Sequence, residues 1–271
     1  MALKGSFDHN ISNNTKDLNT IREELITYNK QDCLVLYQVL IAFSEQIFEL
    51  FSVNIQSIST ISSLALHIYR AKFMDKEAKI PITDTKLYNL LSSGYTGGHV
   101  DVFLPRSQPG RNVYCYDINS LYPAVMKHFD YPTGTPRLIE GSVDLLDPNT
   151  FGFLRVKVTA PPLTSTATNT SELFRPMPLL QTKMDGRTIA PLGTWTGWYF
   201  SEELKYALKL GYEFEVIQAV LFDRGKIFSK FVSALYDLRN TYKKDNPRNL
   251  ICKLLLNSLY GKFGMSPYLE K

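Results

Sequence analysis

Apolar residues recur every three to four positions over four stretches of this chain, which is the period of an amphipathic helix. They predict helices at about 20–51, 59–76, 226–244 and 247–262. A capping-box pair, Thr20 and Glu23, marks the start of the first helix. Asn246-Pro247 marks the start of the last, since proline is tolerated in a first helical turn. The last two predicted helices form a helical hairpin.

Other stretches alternate with the period of a strand. They predict strands at 112–118, 151–159 and 213–222, with further strand-like sequence at 98–103. Asp185-Gly186 predicts a hairpin over 179–189. Short helices are expected at 121–127 and from a capping Ser201 to Gly211. Because helices and strands do not follow a regular βαβ rhythm, the predicted fold class is α+β.

The last predicted helix carries polar residues in a helical stripe. Lys253, Asn257, Tyr260 and Gly264 recur at i, i+4, i+7 and i+11, with Gly261 beside them. The opposite, apolar face is expected to consist of Ile251, Leu254, Leu255 and Leu259. A cation, an amide, a phenol and two glycines suit a flat anionic ligand such as a nucleotide over its template base. The alternative is a solvated helix face without a ligand.

Charged residues elsewhere extend this picture. Arg239 and Lys243 lie four positions apart on the preceding predicted helix, with Lys244 alongside. Facing Lys253 across the hairpin, these like charges need an anion, which a triphosphate would supply, or else they form a solvated basic face. Asp117 follows an apolar segment, so we expect it to be partly buried and paired, bound to metal or capping a helix.

Composition narrows the function classes only slightly. The chain has 271 residues, 44% of them hydrophobic, and a net charge of +4 that permits a polyanionic partner. The three cysteines and four histidines are scattered, which argues against a disulfide framework or a zinc site. No apolar run approaches the roughly 20 residues that span a bilayer. We therefore expect no membrane partner.

Two of these segments resemble motifs of family B DNA polymerases. Asp117-x-x-Ser-Leu-Tyr-Pro123 is similar to motif A, and Lys253-x-x-x-Asn-Ser-x-Tyr-Gly261 is similar to motif B. Tyr95-Thr-Gly-Gly98 resembles the YxGG element between the exonuclease and polymerase domains, and Tyr28-x-x-x-Asp32 resembles the third exonuclease motif. About 130 residues separate motifs A and B. That gap resembles the protein-primed subgroup, which carries a terminal-protein-binding insertion there.

The resemblance implies a partial family B polymerase with five segments. They are the end of a 3'-5' exonuclease domain (1–55), a linker with the first part of the palm (56–128), the protein-primed insertion (129–225), a helical-hairpin fingers segment (226–264) and the start of a return to the palm (265–271). The implied activity is DNA-directed DNA polymerase, with deoxynucleoside triphosphates, a DNA template-primer and a terminal protein as substrates and partners.

The resemblance also assigns roles to residues. Asp117 and the Ile118 carbonyl would bind two catalytic Mg²⁺ ions, and Asp32 would be an exonuclease metal ligand with Tyr28 positioning water. Tyr122 would exclude a ribose 2′-hydroxyl, and Tyr95, Gly97 and Gly98 would contact template. The implied nucleotide-binding residues are Ser120, Leu121, Tyr122, Arg239, Lys243, Lys253, Asn257, Tyr260 and Gly261. Of these, Tyr122, Lys253 and Tyr260 join Asp117 as the expected catalytic residues.

One part of the family pattern is absent. A Tyr-x-Asp-Thr-Asp hairpin should follow motif B, and two earlier exonuclease motifs should supply further carboxylates, but none occurs in these 271 residues. Because one carboxylate cannot hold two Mg²⁺ ions in catalytic geometry, we expect a fragment that is inactive alone. The alternative is a non-catalytic remnant that binds DNA or a terminal priming protein. The resemblance implies a mitochondrial location, encoded in the organelle or on a linear plasmid, or else a phage or cytoplasmic plasmid.

Overall fold

A computed structural model describes residues 21–98, 100, 102, 105–107, 109–161 and 179–265. Within them the chain divides into two compact units. The first comprises residues 21–74 and 231–264, and the second comprises the described residues of 75–230 together with residue 265.

The first unit is helical. Its elements are α1 (Arg22–Phe51), α2 (Ile61–Ile68) with a following π-helical turn (Tyr69–Phe73), most of α6 (Ser229–Asn240) and α7 (Pro247–Phe263). The predicted helices at 20–51 and 247–262 are confirmed, although the capping Thr20 lies outside the described residues. Thr60 caps α2 by accepting a hydrogen bond from the Ser63 amide at 3.1 Å. The helix predicted at 226–244 is shorter than expected.

The core of the first unit is formed by α2, the π-helical turn, α6 and α7. The ring of Tyr69 lies edge-on to Phe231 of α6 at 6.0 Å between centroids and to Phe263 of α7 at 5.8 Å. Such edge-to-face pairs add about 0.5–1.5 kcal/mol beyond the area that they bury. One aromatic side chain thus joins three helical segments.

Helix α1 differs from the others because most of its apolar side chains are exposed. It buries only Ile47 and Phe51 among its residues. By length and composition alone it could cross a membrane, with 11% of its most apolar window buried. The sequence analysis counted uninterrupted apolar runs, which Glu45 and Glu49 break, whereas the helix itself continues through both residues to Phe51.

The second unit is built on an antiparallel sheet. Its helices are α3 (Thr85–Ser93), α4 (Leu121–His128) and α5 (Ser201–Lys209), and its strands are β1 (Tyr131–Glu140), β2 (Gly152–Thr159), β3 (Thr182–Met184), β4 (Arg187–Ile189), β5 (Thr194–Phe200) and β6 (Glu213–Gly225). The four-stranded sheet has the order β1-β6-β2-β5 and β3 pairs with β4. All these pairs are antiparallel, which is typical of the α+β class.

One face of the sheet packs against α5. Inward side chains of β2, Leu154, Val156 and Val158, are fully buried with Leu204 and Ala207 of the helix. The strands at 151–159 and 213–222 and the hairpin about Asp185-Gly186 are confirmed. Asp185 and Gly186 have φ values of 49° and 75°, the left-handed pair that a two-residue hairpin turn needs.

The strand predicted at 112–118 is wrong. The segment is irregular, and its residues, Asp117 included, are exposed rather than partly buried. A strand needs a neighbour to pair its backbone groups, and no described strand lies beside this one. Ser201 does not cap α5 either. The cap position is Phe200, and the buried Ser201 hydroxyl accepts a hydrogen bond from the Gly152 amide at 3.2 Å.

Candidate nucleotide-binding and metal-binding residues

Helix α7 separates a buried face from an exposed polar one. Its buried residues are Ile251, Cys252, Leu255, Leu256 and Leu259. The residues of the polar stripe are all exposed: Lys253, Asn257, Tyr260, Gly261 and Gly264. Leu254 was expected on the apolar face and is 41% exposed instead. The expectation was wrong because Leu254 lies about 100° from Leu255 around the helix, outside the buried arc.

A side chain that the sequence analysis missed holds the α6–α7 hairpin together. Asn249 accepts a hydrogen bond from Arg239 Nε at 3.2 Å through Oδ1. Its Nδ2 donates to the carbonyls of Arg239 at 3.2 Å and Tyr242 at 3.1 Å. The end of α6 is thereby tied to the first turn of α7. A polar residue two positions after the Asn-Pro start was the only signal for this role.

The cations of the hairpin have different surroundings. Arg239 is half-buried and held by Asn249, whereas Lys243 and Lys253 are exposed. Neither lysine forms an ion pair with a described residue. Lys243 was expected on a helix, but α6 ends at Asn240, so Lys243 lies in the connecting turn.

Arg248 fixes the start of α7 to α1. Its guanidinium forms an ion pair with Glu49 through Nη2 and lies over the Tyr242 ring, 5.7 Å from the centroid. A hydrogen bond with the Tyr242 hydroxyl, followed by the charge of Glu49, raises the pKa of Arg248. Arg248 is therefore engaged within the first unit rather than available to a ligand.

The motif A segment belongs to the second unit. Asp117, Ile118, Leu121 and Tyr122 are exposed, and Tyr122 is 55% exposed. Ser120 precedes α4 with a φ of 53°, a left-handed conformation that costs a non-glycine residue roughly 1–2 kcal/mol. Strained backbone of this kind is typical of functional turns.

The far end of α4 is anchored to residues that follow the sheet. Ser229 donates a hydrogen bond to the Lys127 carbonyl at 2.6 Å. Tyr131 packs edge-to-face on Phe228 with 4.8 Å between ring centroids. The motif A helix is thus fixed at its C-terminal end, while its N-terminal turn stays exposed.

Tyr28 and Asp32 interact along α1. A hydrogen bond with Asp32, then burial and the charge of Asp32, raise the pKa of the Tyr28 phenol. This bears out the expectation that the i, i+4 spacing brings both side chains to one helix face. Asp32 Oδ1 is buried and has no hydrogen-bond partner. An unpaired buried carboxylate oxygen fits a metal ligand, because leaving it without any partner is costly.

The glycine-rich turn Tyr95–Gly98 follows α3. Tyr95, Gly97 and Gly98 are exposed. A Cβ atom added to Gly97 or Gly98 would meet no atom of the described chain within 4 Å. Packing within the described residues therefore does not require these two glycines.

Metal-binding side chains are sparse. The described residues contain no group of three or more His, Cys, Asp or Glu side chains that could hold a metal ion. Asp117 and Asp32 belong to different units and each contributes one carboxylate.

Solved structures define the class of fold. Phi29 DNA polymerase complexed with primer-template DNA matches with a TM-score of 0.67 at 19% identity, over 98% of this chain and 45% of that chain. The orthorhombic crystal form of the same polymerase matches equally well. The chain thus has the fold of part of a family B DNA polymerase.

Sequence comparison gives the family. The family described as DNA polymerase type B, organellar and viral, matches residues 4–271, so the chain belongs to it. A probable DNA polymerase of Ascobolus immersus is 43% identical over 260 residues, covering 94% of this chain and 20% of the relative. One of Neurospora intermedia is 39% identical over 268 residues, covering 96% and 26%. The chain therefore spans between 20% and 26% of the length of these two relatives.

Proposed function

We propose that this chain is the nucleotide-binding and template-binding portion of a DNA-directed DNA polymerase. The observation that carries the proposal is the division of α7, whose apolar side is buried while Lys253, Asn257 and Tyr260 are exposed. A solvated face needs no such combination, whereas a triphosphate needs a cation and a nascent base pair needs a flat polar surface. The family to which the chain belongs supports the same reading.

Each part of the substrate has candidate partners. Arg239, Lys243 and Lys253 would bind the triphosphate, and Asn257, Tyr260 and Gly261 would pack on the nascent base pair. Ser120, Leu121 and Tyr122 would contact the sugar and phosphates, with Tyr122 rejecting a 2′-hydroxyl. Tyr95, Gly97 and Gly98 would contact template, consistent with glycines that no described packing requires.

Triphosphate binding tests the proposal directly. The 271-residue chain should bind a fluorescent dATP analogue, and Lys253→Ala should raise the dissociation constant roughly tenfold or more, because a hydrogen bond to a charged group contributes about 1.5–3 kcal/mol. Lys209→Ala is the matched control, since Lys209 is an exposed lysine in the last turn of α5. Equal loss in both variants, or no binding by the unsubstituted chain, would contradict the proposal.

Mg²⁺ fits these residues only in part. Asp117, with the Ile118 carbonyl, would supply ligands to metal ions that stabilise the attacking and leaving oxygens in nucleotidyl transfer. Asp32 would do so at the exonuclease site, where Tyr28 donates a hydrogen bond to it and its Oδ1 has no partner. Since the described residues offer no cluster of three ligands, we expect the chain alone to be inactive. Mg²⁺-dependent primer extension by the purified chain would refute that expectation.

The sparse carboxylates also favour a second candidate, a non-catalytic protein that binds DNA or a terminal priming protein. Residues 129–225, which contain the four-stranded sheet, would be the site for the priming protein. DNA flanking the reading frame separates the two candidates, because a downstream Tyr-x-Asp-Thr-Asp segment in frame would restore the enzyme. A mitochondrial location belongs to the same proposal and is supported by the organellar and viral family. Recovery of the gene from purified mitochondrial DNA would test it.

A further inference from the structure

The turn Tyr95–Gly98 rests on the sheet through one buried residue, Gly94. A Cβ atom at Gly94 would lie 3.0 Å from the Trp198 Cβ, 3.0 Å from the Trp198 carbonyl oxygen and 3.2 Å from Phe153 Cδ1. The backbone at Gly94 has a φ of −91°, which any residue can adopt, so the limited space rather than the conformation favours glycine. Helix α3 therefore ends in direct contact with β5.

The surface beneath Gly94 cannot easily move. Trp198 pairs with Arg155 of the neighbouring strand β2, so its backbone is held by the sheet. On the other side, α3 ends in a tight turn in which the Gly94 amide donates to the Leu91 carbonyl at 3.0 Å. An added methyl group needs a shift of a few tenths of an ångström, and because pairing holds β5 in the sheet, the turn is the side that moves.

A small cleft continues this contact. Ser93 and Thr96 line one side of it, and Lys183, Gly197 and Glu203 line the other. Burial raises the pKa of Glu203. One side of the cleft thus belongs to the end of α3 and the turn, and the other side belongs to β3, β5 and α5.

Tyr199 holds the sheet side of the cleft together. Its buried hydroxyl accepts a hydrogen bond from Trp195 Nε1 at 2.7 Å and donates to the Gln181 carbonyl at 2.9 Å. A Cβ atom at Gly197 would lie 2.8 Å from Tyr199 Cε2, so the ring crosses the strand where glycine leaves room. The hydroxyl ties the β3–β4 hairpin to β5, directly beside Trp198.

We propose that Gly94, Trp198 and Tyr199 are positioning residues that hold the turn Tyr95–Gly98 where it contacts the template strand. The inference rests on the proposed function, in which that turn touches DNA. Residues 129–225 were proposed above as the site for a priming protein. The inference adds a second role for the sheet in this region, which is to support the turn that contacts template DNA. Tyr95, Gly97 and Gly98 are exposed and Thr96 is half-buried, so the position of the turn depends on the buried contact at Gly94.

Binding of a single-stranded oligonucleotide tests this inference. Binding is measured by fluorescence anisotropy with a labelled oligothymidylate. Gly94→Ala should raise the dissociation constant about tenfold, which is the effect expected when a base loses its stacking contact with one aromatic ring, here Tyr95. The affinity for the fluorescent dATP analogue should not change, because the residues proposed to bind the nucleotide do not include this turn. Purely structural damage would lower both affinities.

Two further variants make the test decisive. Ser92→Ala is the matched control, since its hydroxyl bonds only the Asn89 carbonyl within the same helix, at 3.1 Å, among the contacts described. Tyr199→Phe keeps the ring and removes the hydroxyl's hydrogen bonds with Trp195 and Gln181. It should weaken oligonucleotide binding, but not dATP binding, by a smaller factor than Gly94→Ala. If Gly94→Ala fails to fold, Tyr199→Phe decides.

The outcomes separate the inference from the proposed function. Unchanged oligonucleotide affinity in both Gly94→Ala and Tyr199→Phe, or a parallel loss of dATP binding, overturns the inference alone. Failure of the unsubstituted chain to bind the oligonucleotide overturns the inference together with the proposed template contact.

Discussion

Single side chains in this protein owe their properties to neighbours that are close in sequence in some cases and distant in others. Tyr28 and Asp32 meet because four residues make one helical turn, and the spacing alone predicts their contact. Arg239 is held by Asn249, ten positions away, and no periodicity indicates that contact. A local pair follows from helix geometry, whereas a pair across a turn depends on how two helices pack.

The pKa of Tyr28 gives a prediction at this scale. Asp32→Ala should lower it towards the ordinary value of about 10, because both the hydrogen bond and the negative charge of Asp32 favour the neutral phenol. With the raised pKa, the contact is present at neutral pH and is lost as the pH rises through the folded-state pKa. Titration of ¹³C-labelled tyrosine by NMR measures the shift.

Glu24→Ala is the control for this titration. Glu24 lies four residues before Tyr28 and is exposed, but it does not contribute to the shift of the Tyr28 pKa. If Asp32→Ala leaves the Tyr28 pKa unchanged, the two side chains do not interact as described.

At the scale of elements, periodicity predicted the long helices and the alternating strands correctly. It gave wrong predictions for segments whose secondary structure depends on whether a neighbouring strand pairs with them. No strand was predicted at 131–140, yet β1 forms there with Pro132 and Pro136 in it. Because β1 is an edge strand with a shift in register between Thr133 and Arg137, prolines need not donate into the ladder. The opposite error occurred at 112–118, where strand-like sequence has no described partner.

Helix α7 provides a prediction at the element scale. Leu255→Ala should reduce the free energy of unfolding by about 2–5 kcal/mol, because Leu255 is fully buried and its loss leaves a cavity. Leu254→Ala, one position away, should change it by no more than about 0.5 kcal/mol, because Leu254 is exposed. Urea denaturation followed by circular dichroism compares them, and equal losses would show that the buried arc of α7 is assigned wrongly.

At the scale of the whole molecule, the chain forms two compact units, and the first is built from two separate stretches of the sequence. Residues 21–74 and 231–264 form the first unit, so in the sequence its two parts are separated by all the strands of the sheet. Each unit contains at least one cysteine. Cys33 and Cys252 belong to the first unit and Cys115 to the second. Cys33 and Cys115 are exposed, and Cys252 is buried.

Thiol reactivity provides the prediction at this scale. Iodoacetamide should label Cys33 and Cys115 readily and Cys252 at least tenfold more slowly, since burial excludes the reagent and raises the pKa of the Cys252 thiol. Peptide mass spectrometry at several times measures the three rates. Labelling in urea is the control, where the three rates should converge. Equal rates without urea would contradict the burial of this face of α7.

The sequence by itself determined the family motifs, the long helices and the face of α7 that carries Lys253, Asn257 and Tyr260, because these depend on spacing along one chain segment. Tertiary structure alone decided that Leu254 is exposed, that Asp117 lies on an irregular segment, and that Gly94 packs against Trp198. Those features arise from packing between segments up to about a hundred residues apart, and periodicity carries no information about which distant surface a segment will meet.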